Sequence, residues 1–260
     1  VYADADYLTL EEDGQTVLLR EGTAYLGIPP GCNIGGKPNM YSNYSGWAGT
    51  FTMPQPILFA AEGWFLRAEA KLRWPEFPDQ SVQTLYETGV RTSIRNQYAY
   101  RKSYAEQGYA EFKQSLPDDW ATLADDATID AYLAGETTQA PYVDPATPDY
   151  NREPVNTLCV KWDESASDQD KLARIITQKW IANYPMGLEA WAEYRRTGYP
   201  ELAPVIDNLS GGVVDSNRGM RRLAYPLSEK DQNTTNYQNA VTMIGGTDTP
   251  AVDLFWTKKN

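Results

Sequence analysis

Histidine is absent from all 260 residues. That absence removes the Ser-His-Asp and Cys-His nucleophile systems and every His-ligated zinc or iron site, each of which needs an imidazole to carry a proton or bind a metal. No run of 18 apolar residues occurs, so no stretch reads as a transmembrane helix. No charged segment followed by an apolar one opens the chain, so no signal peptide is visible; in a mature form or a fragment none is expected. Positive charge is the scarce sign, with 23 Lys and Arg against 35 Asp and Glu and a net charge of −12. Such a surface repels phosphates and argues against a nucleic-acid partner. Cysteine is down to two residues, Cys32 and Cys159, far apart in sequence. A disulfide between them can be neither inferred nor excluded on spacing, and the plain reading is two small, partly buried thiols.

Acidic residues are plentiful but not arranged for catalysis. Asp118-Asp119 and Asp125-Asp126 are neighbours in sequence, whereas glycoside hydrolysis needs two carboxyls facing each other across a bond. No acidic stretch carries the alternating ligands and closing Glu of the twelve-residue calcium loop. Solvated acids near helix starts explain these pairs better than catalysis does, carboxylate-only chemistry stays open, and no cofactor is read from the residues. A structural calcium held by scattered loop oxygens stays open.

What is present is helix and aromatic loop. The text IITQKWIANYPMGLEAWAEYRRTGYPEL, 175–202, reads as two amphipathic helices broken at Tyr184-Pro185, because proline lacks an N–H and disfavours helix in the residue before it. Leu172, Ile176 and Trp180 recur at helical spacing, with Ile175 and Lys179 on neighbouring faces; Leu188, Trp191, Ala192 and Arg195 begin the second stripe. Trp180, Trp191 and Arg195-Arg196 are expected to hold the core. Ser165 or Ser167 opens the first helix with a capping-box-like start. Upstream, PILFAAEGWFLRAEAKLRW has Ile57, Ala61, Trp64, Phe65, Ala68 and Leu72 on one stripe, with Glu62, Arg67, Glu69, Lys71 and Arg73 opposite. Asp79 can cap the next helix, whose stripe is Val82, Leu85, Tyr86, Val90, Ile94 and Tyr98. The short connection makes these two an αα-hairpin, packed in the manner of helical repeats.

The remainder reads as loop, apart from a hairpin of 7–10 and 15–19 and short helical turns at 109–115 and 127–134. Arg218, Arg221 and Arg222 form a basic cluster for which pairing with local carboxylates competes with anion binding. Tyr142 and Tyr150 are candidate surface aromatics, and Leu254, Phe255 and Trp256 are apolar enough to dock the tail. In the long Gly/Pro/Asn/Ser-rich loop before Pro56, Tyr41, Tyr44 and Trp47 fall three residues apart beside Asn43. Flat apolar faces next to an amide suit a sugar, whose ring has apolar C–H faces and polar edges. The competing reading is that these aromatics pin the loop to the core. Candidate ligand-binding residues are thus Tyr41, Asn43, Tyr44 and Trp47, with Trp120 an outlying candidate.

Five stretches in order, YLGIPPG (25–31), ILFAAEGWFLRAEAKLRW (57–74), ITQKWIANYPMGLEAWAEYRRTGYPEL (176–202), RRLAYPLSEKDQNTTNYQNAV (221–241) and GGTDTPAVDLFWTKK (245–259), together resemble the carboxy-terminal half of SusD/RagB-like proteins. The resemblance implies a mainly α fold, with tetratricopeptide-like helix pairs, long irregular loops and a small β-hairpin near the start. It implies that residues 1–260 are a single domain, the carboxy-terminal portion of a larger SusD-like protein of Bacteroidetes. It further implies a non-catalytic, cell-surface, outer-membrane component that captures glycans or other nutrients for a SusC-like TonB-dependent transporter. The lipid anchor would lie outside this chain, and Cys32, internal in PPGCN, is not taken for it. The alternative is a docking scaffold for the transporter without its own ligand site. Ligand residues vary across such proteins, so none is carried over by motif.

Overall fold

The computed structural model describes residues 7–12, 15–20, 31–33, 56–106, 122–144 and 147–257. The chain divides into two compact units, one formed by Val1–Ser42, Ala140–Val155 and Arg195–Asn260, the other by Asn43–Gln139 and Asn156–Tyr194. The described residues are mainly helical. Strands β1 (Tyr7–Glu12) and β2 (Gln15–Arg20) pair antiparallel, with Leu8 opposite Leu19 and Leu10 opposite Val17. The helices are α1 (Ala60–Arg73), α2 (Val82–Glu106), α3 (Asp126–Leu133), α4 (Asp168–Ala182), α5 (Gly187–Thr197), α6 (Leu227–Gln232) and α7 (Thr234–Met243).

The second unit is built on α1, α2 and α4. Ala61, Phe65 and Ala68 of α1 and Leu85, Tyr86 and Val90 of α2 bury the stripes that their spacing predicts, while Trp64, Leu72, Val82 and Ile94 pack against that core. Tyr86 sits between Phe65, edge-on at 6.4 Å, and Trp162 at 5.1 Å, and its hydroxyl donates to the Val160 carbonyl at 2.6 Å. Burial pushes the Tyr86 phenol far above its ordinary range. Gly89 lets the helices approach: a Cβ there would lie 2.8 Å from the Phe65 ring. Short α3 is tied along α2 by Arg91–Asp130 and Arg95–Asp126, two pairs one helical turn apart on each helix.

Four details depart from the sequence reading. Ile57 lies ahead of α1 and is exposed, because the helix begins only at Ala60. Glu62, expected on the solvent side, is buried, since a buried cation waits for it on α4. Asp79 does not cap α2. It accepts two bonds from Arg67, at 2.7 and 2.6 Å, while Ser81 accepts from the Thr84 amide at 3.1 Å. The paired guanidinium holds the Asp79 carboxyl down to about 2. In α4 the buried face is Ala173, Ile175, Ile176, Lys179 and Ala182, which turns Trp180 outward. Ser167 caps this helix as expected, accepting from the Asp170 amide at 3.1 Å and bonding the Asp170 carboxylate at 2.8 Å.

The first unit is held differently. Tyr150, expected at the surface, is buried: its hydroxyl donates to Asp207 at 2.6 Å and accepts the Asn33 N–H at 2.8 Å. Gly31 precedes this junction with φ +72°, and a Cβ there would fall 2.2 Å from Val205 Cγ1. The basic cluster pairs internally. Arg221 bonds Asp253 at 2.9 Å, Arg218 bonds the other Asp253 oxygen at 2.7 Å, and Arg222 bonds Asp248 at 2.5 Å. In the tail Trp256 lies under the Arg195 guanidinium at 4.8 Å, but Phe255 is exposed. Helices α6 and α7 replace part of the expected loop.

Candidate functional site

Tyr41, Asn43, Tyr44, Trp47 and Trp120 lie outside the described residues, so the proposed sugar-contacting set has no geometry here. The expected turn at 109–115 lies outside them as well. Within the second unit the described residues form one extended groove. Three adjoining cavities of about 310, 350 and 530 Å3 share Ile181. Phe65, Ile94 and Tyr132 line one end, and Trp180, Tyr184 and Met186 the other. The groove arises from ordinary helix logic. Ile94 continues the α2 stripe, and Ile181 stands on the outward side of α4 one residue before that helix ends at Ala182.

The groove is nearly apolar, and its few polar groups sit mostly at edges. Tyr132 donates to Gln178 at 3.0 Å, and Gln97 donates to the Tyr184 carbonyl at 2.9 Å. Burial raises the Tyr132 phenol. Asn183 is different: fully buried, it lines the groove with neither amide atom bonded among the described residues. Buried amides are normally satisfied, since an unmade bond costs about 1–3 kcal/mol.

The charged groups of the same unit gather elsewhere. Lys179, 1% exposed, stands 3.1 Å from Glu62 of α1 and 3.2 Å from Glu193 of α5. Glu189, one turn before Glu193, has its carboxyl raised, first by burial and then by the neighbouring Glu62 charge. One buried cation thus serves two carboxylates, and the crowding of negative charge adds to burial in raising the Glu189 carboxyl. The arrangement is a structural clamp between helices; neither Lys179 nor its carboxylates line the three cavities. In the first unit, burial pushes the Asp253 carboxyl up, but hydrogen bonds from Arg218 and Arg221 outweigh it and hold it below the usual range. The arginines expected to choose between carboxylates and an external anion are therefore engaged by carboxylates. Among the described residues no group of three or more Asp, Glu or Cys is disposed to hold a metal. Cys32 and Cys159 are free thiols, and burial raises that of Cys32.

Comparison with known proteins places this fold. The SusD-like family model, described as Susd and RagB outer membrane lipoprotein, matches residues 5–122 and 118–257. Comparison with curated proteins gives no match. Among solved structures, a SusD homolog from Bacteroides uniformis is 41% identical with a TM-score of 0.62, over 77% of this chain and 36% of its own. A chitin-binding SusD homolog from Flavobacterium johnsoniae is 38% identical with a TM-score of 0.58, over 75% and 35%. A SusD homolog from Bacteroides vulgatus is 34% identical with a TM-score of 0.71, over 89% and 42%. The chain therefore spans less than half the length of each. No helix among the described residues is long and apolar enough to cross a membrane. With both matches together running over nearly the whole sequence, the chain belongs to the SusD-like family of outer membrane lipoproteins.

Proposed function

We propose that this chain is part of a non-catalytic, cell-surface glycan-binding protein that passes captured ligand to a SusC-like TonB-dependent transporter. The observation that carries this reading is the family match over 5–122 and 118–257, joined to 38% identity with a chitin-binding relative. Histidine-dependent hydrolysis has no residue to carry it in this sequence, and the acidic pairs of the sequence are neighbours along the chain rather than a facing pair chosen for glycoside cleavage. Capture falls to Tyr41, Tyr44 and Trp47, stacking on sugar faces, with Asn43 bonding ring edges and Trp120 as an additional platform. Neither cofactor nor metal enters this scheme. The αα-hairpin of α1 and α2 is read as a tetratricopeptide-like pair that carries those loops.

The test is calorimetric titration of the chain with chitohexaose and other purified oligosaccharides, comparing wild type with Trp47→Ala and Tyr44→Ala. Loss of one stacking platform should weaken binding about twofold to twelvefold, in keeping with the 0.5–1.5 kcal/mol typical of aromatic contacts. Unchanged affinity in both variants places the site elsewhere. Release of reducing ends from any of the oligosaccharides would instead make the protein an enzyme.

A further inference from the structure

The connection between α1 and α2 is held more firmly than a surface loop requires. Pro75 ends α1, because the residue before a proline is driven out of helical geometry, and Trp74 leaves the helix accordingly. The Trp74 amide still donates to the Ala70 carbonyl at 2.9 Å. The Phe77 amide donates to the Trp74 carbonyl at 2.8 Å, and the Asp79 amide to the Phe77 carbonyl at 2.8 Å. The Lys71 ammonium donates to the Pro75 and Phe77 carbonyls at 2.6 and 2.8 Å. Asp79 closes the loop, gripped by Arg67 and accepting the Gln80 amide at 2.8 Å. Trp74 and Phe77 are thus the first and last residues of one β-turn, whose end Cα atoms lie within about 7 Å of each other.

This framework holds two aromatic rings in water. Trp74 is 55% exposed, the most exposed tryptophan among the described residues, and Phe77 is 37% exposed. Neither belongs to the core cluster of this unit or packs against it. Burial would favour both rings, so their display adds nothing to the stability of the fold. Glu76 lies between them and Gln80 just beyond. Both are exposed, and neither side chain is bonded among the described residues. The cations of the loop are all engaged: Lys71 by carbonyls, Arg67 by Asp79 and Arg73 by Glu69.

We infer that the Trp74–Phe77 turn is a second carbohydrate site, taking a neutral oligosaccharide whose C–H faces stack on the two rings while Glu76 and Gln80 bond hydroxyls at its edges. It rests on the glycan reading proposed above but uses none of residues 41–47, nor Trp120. A purely apolar ligand would strip water from the unpaired Glu76 carboxylate without replacing its hydrogen bonds. An anion finds no free cation at the turn. A neutral sugar needs a flat apolar face beside unengaged donors and acceptors, and the turn supplies both. Its rigidity works in the same direction, since a platform fixed before contact loses little entropy on binding.

The test is an NMR titration of the 260-residue chain with chitohexaose, cellohexaose and maltohexaose. With at least one of them, the Trp74 indole N–H and the amides of Glu76, Phe77, Asp79 and Gln80 are expected to shift saturably. Trp74→Ala and Phe77→Ala should each weaken the binding read at Asp79 and Gln80 about twofold to twelvefold, and together at least fivefold. Neither should change the melting temperature, because both rings stand outside the core. Trp47→Ala should leave the response of the turn as it is. Silence at the turn with all three sugars, while calorimetry still detects binding that Trp47→Ala or Tyr44→Ala weakens, would overturn this inference and leave the 41–47 site standing. A response of the turn that persists when Trp47→Ala and Tyr44→Ala prove without effect would support it and remove the 41–47 site instead. Shifts at Asp79 and Gln80 undiminished in the Trp74→Ala, Phe77→Ala double variant would overturn it as well.

Discussion

The two units reach the folded state by different means. In the unit of α1 to α4 the interior is hydrocarbon and aromatic: Phe65, Leu85, Tyr86, Val90, Ile129 and Ile175 form one cluster, with Lys179 and its carboxylates, Glu69 and Arg174 as buried charged groups beside it. In the unit that includes Arg195–Asn260, the buried groups are largely polar. Arg221 reaches Asp253 and the Arg195 carbonyl, Arg195 reaches the Arg221 carbonyl, and Tyr150 joins Asn33 to Asp207. Apolar packing is non-directional and tolerates repacking, whereas a guanidinium network works only at set angles and leaves costly orphans when one member is lost. The first strategy suits helices. The second suits irregular chain, which has no ladder of its own to hold it in one shape.

That contrast can be broken at Arg221. Arg221→Met should destabilise by about 3–5 kcal/mol, because it removes two bonds from a charged donor, to Asp253 and to the Arg195 carbonyl, and leaves Asp253 to Arg218. Arg221→Lys should recover little of this, since an ammonium cannot make the forked bonds. Leu85→Met in the other unit should cost less than about 1.5 kcal/mol, as volume-conserving core changes do. Chemical denaturation of the three variants measures this, and equal losses at both sites would erase the distinction. A smaller effect sharpens it. Tyr86→Phe should lose about 1–2 kcal/mol from a polar contact set inside the aromatic core, leaving the Val160 carbonyl without its hydroxyl donor.

The smallest effect is a pH dependence. Glu189 has its folded carboxyl raised, so the folded state holds a proton that the unfolded chain releases earlier. Its contribution is therefore favourable below the ordinary carboxylate range and fades as pH climbs through the raised value. Glu189→Gln should raise the melting temperature slightly at neutral pH and have no effect near pH 4. Asp79 runs the other way: held down to about 2 by Arg67, it supports the fold above its ordinary range and loses that support as pH falls toward 2. Melting curves of Asp79→Asn should accordingly be flatter across the acid limb.

How much of this was legible in the sequence follows the same division. The α1 and α2 stripes were readable because Ala61, Phe65, Leu85, Tyr86 and Val90 repeat at helical spacing and pack as that spacing implies. Glu62 was placed on the solvent face because a charged residue signals exposure unless its partner is known, and its partner Lys179 lies over 110 residues away in sequence. Helices α6 and α7, LSEKDQ and TTNYQNAVTM, bury no residue, so no apolar period announces them. Tyr150 was read as a surface aromatic because its hydroxyl partners, Asn33 and Asp207, are remote in sequence. As for a site, the candidate sugar-stacking residues cluster locally and could be named, whereas the groove is assembled from α1, α2, α3 and α4 and exists only once they pack.

The close approach of α1 and α2 at Gly89 has a consequence for how such chains can vary. The Phe65 ring occupies the space where any side chain at 89 would begin, so the two positions share one volume. An alanine at 89 becomes tolerable when the ring is exchanged for a slimmer residue such as leucine, and Phe65→Leu alone leaves a void that Gly89→Ala would fill. The two substitutions should therefore rescue each other in a double-mutant cycle, with an interaction energy on the order of 1–2 kcal/mol. Sequences descended from a common ancestor should change these two sites together or leave both alone.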